Sequence, residues 1–148
     1  MAVDDPFELS RFVEAQDLVF DTILGELRAG RKETHWMWFV FPRLRALGRS
    51  PIANFYGIVS IGEARAYLKH PVLAKRMARA IDAVLAVSGR SAHEIFGSPD
   101  DLVFRCSMTL FSEAADGEEG ERFRLALQRF FAGEPDQCTL ELLGGGID

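Results

Sequence analysis

The stretch HPVLAKRMARAIDAVLAVSG, residues 70–89, decides the fold class that this chain predicts. Positions recur along it at intervals of three and four residues, which is the spacing of one face of an amphipathic α-helix. They are Val72, Leu73, Arg76, Met77, Ala80, Ile81, Val84 and Leu85. A residue before proline avoids the helical region, so His70-Pro71 predicts a boundary before this helix. Gly89 predicts its end.

Helix signals also precede this stretch. Asp5 can cap a helix, Pro6 suits the first helical position and Glu8 stands three residues after the cap. Apolar residues then recur at helical spacing through Leu27, and Gly30 is a natural C-terminal stop. The first thirty residues therefore predict one long helix that starts at Asp5.

Capping motifs mark further helices along the chain. Ser60 with Glu63, and Ser91 with Glu94, have the spacing of a capping box, and Ser98 supplies another cap before a proline. The predicted helices run from these caps through Leu68, to Gly97 and through Phe111, and two more span residues 122–131 and 139–143. Strand signals are few. The sequence predicts an all-α fold, a single compact domain over residues 1–148 with about six to eight helices.

Composition and charge narrow the function classes. The chain has 148 residues, 48% of them hydrophobic, and a formal net charge of −5. The negative charge argues against nucleic acid as a partner. The first residues are acidic rather than basic and no apolar leader follows, and no apolar stretch reaches membrane-spanning length. We therefore expect no membrane association and a cytoplasmic location.

The cysteine and histidine pattern predicts neither a metal site nor a cofactor. Cys106 and Cys138 form no Cys-x-x-Cys pair, and free thiols are expected. His35, His70 and His93 lack the spacing of metal ligands, and no glycine-rich nucleotide-binding motif occurs. The expected partner is a small-molecule ligand, which can be phosphorylated. The sequence leaves the oligomeric state open.

Chemistry-bearing residues concentrate in the run KETHWMWFVFP, residues 32–42, which holds both tryptophans of the chain. Its apolar part is too uniform for periodicity to separate a strand from a buried helix. The helical neighbours and Pro42 favour a short buried helix that ends at this proline. The segment from Arg43 to Tyr56 predicts a loop of about a dozen residues, long enough to suggest a function.

Glu33 is the first candidate for catalysis. A carboxylate held against aromatic rings loses solvation, which raises its pKa and suits acid–base chemistry near neutral pH. His35 would share that role or hold a substrate oxygen. Asp100 and Asp101 are the other candidate catalytic residues, since one of them can face a pocket. Simpler alternatives stay open: Glu33 in solvent, His35 bonded to a backbone carbonyl, and both aspartates favouring the dipole of their helix.

Aromatic and basic side chains around the same run predict a ligand site. Trp36 or Trp38 could stack on a base, and Arg43 or Arg45 could bind a phosphate through two hydrogen bonds. In a helix, positions 36 and 39 lie on one side and 38 and 41 more than a quarter turn away, so about two of these aromatics are expected in the core. The predicted ligand-binding residues are Lys32, His35, Trp36, Trp38, Arg43, Tyr56, Arg105 and Ser107.

Six blocks of the chain, in this order, resemble a bacterial family known as domain of unknown function 1810. They are DPFELSRFVEAQ, HWMWFVFP, LGRSPIANFYGI, EARAYLKHPVL, IFGSPDDL and SMTLF. The resemblance covers residues 5–143 and implies a mainly α-helical fold. Family members often carry the name calpastatin, which we set aside because calpain-inhibitor segments are flexible and polar. The chain departs from the usual family pattern at three positions. It has Arg43 where the family usually has glutamine, Val103 where it has lysine and Cys106 where it has serine.

A second resemblance concerns function. Glu33-Thr34-His35-Trp36 after a basic loop, and Gly97-Ser98-Pro99-Asp100-Asp101 later, resemble the layout of the NADAR superfamily. Members of that superfamily cleave N-glycosidic bonds in ADP-ribose or phosphoribosylated compounds. This resemblance implies a hydrolase in which Glu33, Asp100 or Asp101 activates water or stabilises an oxocarbenium-like state.

The leading expectation is therefore an enzyme that hydrolyses an N-glycosidic bond in an ADP-ribose-like or phosphoribosyl compound. In that scheme a tryptophan stacks on the base, and Arg43 with Lys32 holds phosphate. The alternative is a non-catalytic module that binds a protein or a metabolite through the aromatic face and the loop after it. A third reading is a structural protein whose whole aromatic run lies in the core.

Overall fold

The computed structural model describes residues 5–144, which form ten α-helices and two short 3₁₀ turns. The helices are α1 (Ser10–Asp17), α2 (Phe20–Arg28), α3 (Met37–Val40), α4 (Pro51–Phe55), α5 (Ile61–Lys69), α6 (Pro71–Ala86), α7 (Ala92–Phe96), α8 (Asp100–Ala114), α9 (Glu121–Phe131) and α10 (Gln137–Gly144). The 3₁₀ turns span Arg45–Leu47 and Gly117–Gly120. Over these residues the extended pairing consists of one isolated parallel bridge between Leu44 and Ile58. The all-α prediction is confirmed.

Helices α6 and α8 organise the core. Helix α8 packs against α5, α7, α9 and α10, and α6 packs against α1, α2, α5 and α9. The buried side of α8 includes Phe104, Met108 and Phe111, which have no exposed surface. The apolar stripe predicted for residues 70–89 points into this core, where Leu73, Ile81 and other stripe residues are buried.

Three predicted helix starts are confirmed at the level of the capping atoms. Ser60 Oγ accepts a hydrogen bond from the backbone N–H of Glu63 at 3.2 Å, and Ser91 and Glu94 form a complete capping box. His70 ends α5 and begins α6, where its Nδ1 accepts from the first backbone N–H groups. Local side chains therefore place these boundaries, which the two capping motifs and the His70-Pro71 pair predicted.

The prediction of one helix from Asp5 to Leu27 is wrong. The Asp5 carboxylate accepts hydrogen bonds from the N–H groups of Leu9 and Ser10. Residues 6–9 nevertheless form a turn rather than a helix, and α1 begins only at Ser10. Glu8 has a positive φ of 54°, which an α-helix cannot contain. The chain breaks again at Leu18 and Val19 before α2.

The segment from Arg43 to Tyr56 is also more ordered than the predicted loop. It contains a 3₁₀ turn and α4, whose start is capped by Ser50 Oγ bonded to the N–H of Ala53 at 3.2 Å. The split first helix and α4 account for the difference between ten helices and the six to eight expected. The cap of α8 differs too, because Pro99 occupies the cap position and Ser98 makes no side-chain capping bond.

The aromatic run forms the short helix α3, as predicted, and α10 includes the last predicted helical turn. Gly144 is the last residue of α10, and the glycines that follow it, Gly145 and Gly146, lie outside the described residues. No helix within residues 5–144 combines the length and the apolar character that crossing a bilayer requires.

Candidate functional site

The aromatic run is built around a buried carboxylate that the sequence analysis did not single out. Glu26, near the end of α2, is 9% exposed. Its Oε1 accepts from the N–H groups of Glu33 (2.7 Å) and Thr34 (3.0 Å) and from Trp36 Nε1 (2.9 Å). Its Oε2 accepts from the Thr34 hydroxyl at 2.6 Å. We call Glu26, Glu33, Thr34 and Trp36 the Glu26 cluster.

The ionised form of Glu26 is stabilised by these four donors. Burial alone would raise the pKa of its carboxyl group, because charge is poorly solvated there. The hydrogen bonds from Thr34, Glu33 and Trp36 outweigh that cost and lower the pKa from 4.5 to about 2. Glu26 is therefore a charged structural acceptor at neutral pH, not a proton donor or acceptor for a reaction.

Glu33 does not lie against the aromatic rings as predicted. Its side chain and that of His35 are exposed, and only the backbone N–H of Glu33 joins the cluster. The carboxylate beside the indole is that of Glu26. A signal for this existed in the sequence, because Glu26 stands three residues after Ile23 within the apolar stripe of its helix.

Lys32 and Asp100 form an ion pair beside Trp36. The two charged atoms are 3.0 Å apart, and the Lys32 side chain is 8% exposed. Lys32 Nζ also lies 5.3 Å from the centre of the Trp36 ring. Asp101 pairs instead with His93, at 3.3 Å. Both aspartates thus have a partner within the chain, and their predicted catalytic roles stay predictions.

The two tryptophans have different surroundings. Trp36 is sealed in the core at 2% exposure, so the predicted stacking of Trp36 on a ligand has no accessible ring face. Trp38 is half-buried and lines a small hollow with Arg43 and Tyr56. The hollow holds about 20 Å³, which is enough for one water molecule and too small for a nucleotide.

The three departures from the family pattern lie near this hollow. Arg43 and Val103 line it, and the Arg43 guanidinium lies beside the thiol of Cys106. Burial, with the nearby Asp136 carboxylate, raises the pKa of Cys106 to about 11, against the opposing effect of Arg43. This thiol is therefore protonated at neutral pH and is a poor nucleophile.

Two other predicted ligand residues do not join the hollow. Arg105 is directed to Glu134, whose backbone oxygen accepts from its Nε at 2.9 Å. The Ser107 hydroxyl is fully buried in α8 and has no hydrogen-bond partner among the described residues. Of the eight predicted ligand residues, the structure places Trp38, Arg43 and Tyr56 around the hollow, and it places Lys32 beside Trp36. Across residues 5–144 no cluster of three or more His, Cys, Asp or Glu side chains is placed to hold a metal ion.

A larger concave site is lined by other residues of the Arg43–Tyr56 segment. This charged cleft has a volume of about 500 Å³, within the range of small-molecule sites. It is bounded by residues 6–9, which precede α1 and which we call the first turn, by the 3₁₀ turn Arg45–Leu47, by α4 and by the start of α5. Its lining residues are Pro6, Phe7, Glu8, Arg11, Arg45, Pro51, Asn54, Phe55, Val59 and Glu63.

The floor of the charged cleft is a fixed ion pair. Arg11 Nη2 lies 2.7 Å from Glu63 Oε2, and the two side chains are 9% and 1% exposed. The other Arg11 donors bond to backbone oxygens of Phe7, Glu8, Phe55 and Gly57. All five guanidinium N–H groups are thus used, and Glu63 Oε1 accepts from the N–H of Val59.

The free charges of the charged cleft lie on its walls. Arg45 and Glu8 are exposed, and neither forms an ion pair within the described part of the chain. The apolar ring of Phe55, which is 55% exposed, lines the same cleft. Arg45 was predicted as an anion-binding residue, whereas Arg11 and Glu63 were missed because their partners are distant in sequence.

An apolar groove adjoins the charged cleft. Its volume is about 870 Å³, and it runs between the first turn, α1 and the end of α5. The lining residues are Asp5, Pro6, Phe7, Leu9, Ser10, Val13, Glu14, Ala66, Lys69 and His70. Pro6 and Phe7 line both the groove and the cleft.

Comparisons with known proteins agree with the first resemblance drawn from the sequence. The family model "Protein of unknown function (DUF1810)" matches residues 6–143. A crystal structure of the conserved hypothetical protein Rv1873 from Mycobacterium tuberculosis has 50% sequence identity and a TM-score of 0.92, covering 95% of this chain and 99% of that chain. No curated protein matches the chain. Neither match concerns the NADAR superfamily, so the activity implied by that resemblance stays a prediction.

Proposed function

We propose that this protein, which belongs to the DUF1810 family of proteins of unknown function, binds a small anionic molecule in the charged cleft. Arg45 would be the residue that anchors the anion. The observation that carries the proposal is an exposed guanidinium, without an ion-pair partner among residues 5–144, on the wall of a cleft of about 500 Å³. A guanidinium in such a place can bind a carboxylate or phosphate group through two hydrogen bonds.

The rigid floor of the cleft supports this proposal. A binding site loses less free energy on association when its shape is already present in the free protein. The Arg11–Glu63 pair joins the first turn to α4 and α5 by hydrogen bonds, so the walls that carry Arg45 and Phe55 are held at a set separation. The Phe55 ring offers an apolar surface for the rest of the ligand.

Binding is better supported than N-glycosidic hydrolysis. A hydrolase needs a carboxylate that can reach both water and the scissile bond. Glu33, Asp100 and Asp101 do not line the charged cleft, and both oxygens of Glu63 already accept hydrogen bonds. Glu8 is then the one free carboxylate among the lining residues, whereas glycoside hydrolysis ordinarily uses a pair. The predicted hydrolase is therefore the narrower form of the proposal, in which the anion is an ADP-ribose-like or phosphoribosyl compound that is also cleaved.

The test is a calorimetric and thermal-shift comparison of inorganic phosphate, ribose 5-phosphate, ADP-ribose and uncharged ribose. A phosphorylated probe at about 100 times its Kd should stabilise the protein by roughly 2.7 kcal/mol. The substitution Arg45→Ala should weaken binding about 10- to 100-fold, the loss expected for a charge-assisted hydrogen bond. Arg49→Ala is the matched control, because Arg49 is exposed on the same segment but does not line the cleft.

The outcomes test the Arg45 site and the hydrolase activity separately. Equal affinity of the wild type and Arg45→Ala for every anion would refute the proposed site. Release of a free base or sugar from a phosphoribosyl probe would support the hydrolase. In that case, a Glu33→Gln protein that reacts at the wild-type rate would exclude the predicted role of Glu33.

A further inference from the structure

The charged cleft and the apolar groove meet at one wall, the turn that contains Pro6 and Phe7. Pro6 is exposed and Phe7 is half-buried. A molecule seated in the cleft therefore needs to pass only this turn to enter the groove. The two spaces together offer a polar end and an apolar end, and Pro6 and Phe7 line both.

The two spaces differ in the charge that they present. The rim of the groove carries two carboxylates, Asp5 and Glu14, against one ammonium group, Lys69. Its wall is otherwise largely apolar, with Leu9, Val13 and Ala66. In the cleft, the Arg11–Glu63 pair is internally neutral, and Arg45 and Glu8 are wall charges of opposite sign, neither of which forms an ion pair within residues 5–144. An anionic group is favoured at the Arg45 end, and hydrocarbon at the other.

We infer that the ligand is a single-chain amphiphile, with an anionic head at Arg45 and a hydrocarbon tail that passes Phe7 into the apolar groove. The inference rests on the proposed function, because it assigns the head to the same Arg45 site. Glu8 also faces the cleft, so a head that adds a hydroxyl or amine donor to its anion fits this wall better than a bare anion.

Binding of straight-chain carboxylates tests the inference directly. Acetate, hexanoate, octanoate and decanoate share one head group and differ only in the tail. Each methylene that leaves water for an apolar groove should lower Kd about fourfold. Calorimetry on the full chain should therefore give a regular gain along the series, and Arg45→Ala should weaken all long members by a similar factor.

Groove variants locate the tail. Ala66→Trp places a large ring in the groove and should abolish the gain with chain length while leaving acetate binding unchanged. Ser10→Trp is the second variant, because Ser10 is exposed at the start of α1 and tolerates a larger side chain. Ala86→Trp is the control, since Ala86 is exposed at the end of α6 and does not line the groove.

The outcomes separate this inference from the proposed function. Anion binding that needs Arg45 but gains nothing from chain length would overturn the inference and leave the proposed function standing. Binding of no anion at Arg45 would overturn both. A chain-length gain that survives Ala66→Trp and Ser10→Trp would place the tail elsewhere and overturn the inference. Light scattering gives one further outcome. If Ala66→Trp has a lower molar mass than the wild type but the same affinity for decanoate, a second copy of the chain covers the groove, and the inference is also overturned.

Discussion

Glu26 and Glu63 are both buried helix glutamates, and they stand at the centre of two regions with opposite character. Glu26 is held by four neutral donors in the aromatic run, where the indole beside it is sealed. Glu63 is held by Arg11 and forms the floor of an open cleft. In the first region, the polar and charged side chains form hydrogen bonds and an ion pair with one another. In the second, the buried pair is satisfied and leaves Arg45 on the wall above it.

This contrast shows why a density of aromatic and ionisable residues is a poor guide to an open site. Aromatic side chains bury large areas and draw polar neighbours into the core, where each polar group must find a partner. The Glu26 cluster fulfils that requirement and leaves no space for a ligand. The cleft forms where short elements meet, and Glu8, Arg45 and Phe55 remain exposed on its walls.

Removal of the Glu26 carboxylate should cause the largest loss of stability among these predictions. Glu26→Ala leaves two backbone N–H groups, a hydroxyl and an indole N–H without their acceptor, which should cost about 3–5 kcal/mol of unfolding free energy. Urea denaturation measures it. Glu33→Ala, the exposed neighbour, is the control and should change stability by less than about 0.5 kcal/mol. Equal losses in the two variants would remove the distinction between the regions.

The stability of the Glu26 cluster should depend on pH. The Glu26 pKa is about 2 in the folded protein and 4.5 in its ordinary state. A carboxyl group with a lowered pKa stabilises the fold above the unfolded pKa, and this contribution, on the order of 3 kcal/mol, is lost as pH falls from about 4.5 toward 2. Denaturation curves between pH 2 and pH 6 check it. If Glu26→Gln loses as much stability as the wild type over this range, other groups are responsible.

The tryptophans should separate in stability and in fluorescence. Trp36→Phe removes the indole N–H that bonds to Glu26 and should cost about 2 kcal/mol, whereas Trp38→Phe should cost less than about 1 kcal/mol because that ring is half-buried. Iodide should quench Trp38 in the Trp36→Phe protein more strongly than it quenches Trp36 in the Trp38→Phe protein. The reverse order of quenching would contradict the sealed environment of Trp36.

The smallest expected effect concerns the wall of the cleft. Glu8 has a φ of 54°, a conformation that costs a non-glycine residue about 1–2 kcal/mol. Glu8→Gly should relieve this strain, and after the greater entropy loss of glycine a gain of about 0.5–1 kcal/mol remains. Thermal unfolding checks it, with Glu14→Gly as a destabilised control inside α1. A loss of stability in Glu8→Gly would show that the turn is not strained at this residue.

Several helix boundaries that neighbouring residues decide were predictable, although the equally local cap of α4 at Ser50 was missed. Ser60, His70 and Ser91 cap their helices through atoms only two or three residues away, so the sequence pattern was sufficient. The first helix failed because Glu8 adopts a backbone conformation that is stabilised by Arg11, which bonds the carbonyl oxygens of Phe7 and Glu8. The other bonds of Arg11 reach residues more than forty positions away, and no local pattern reveals them.

The candidate site also combines features that the sequence predicted with features that depend on the tertiary structure. The segment from Arg43 to Tyr56 was expected to carry ligand-binding residues, and its Arg45 lies on the charged cleft. Glu33 was assigned the environment that Glu26 has, because spacing cannot tell which of two nearby carboxylates turns inward. Trp38, Arg43 and Tyr56 do come together, but around a hollow of about 20 Å³.

The amino-acid sequence by itself determined the all-α class, most helix starts and the membership of a family, because helical periodicity, capping and block similarity are local properties. Only the tertiary structure decided which carboxylates are buried, which tryptophan is sealed and where a cavity opens. Those outcomes depend on packing and on hydrogen bonds between residues far apart in the chain, such as Arg11 and Glu63. Most buried polar groups need a hydrogen-bond partner, and the tertiary structure determines which partner is within reach.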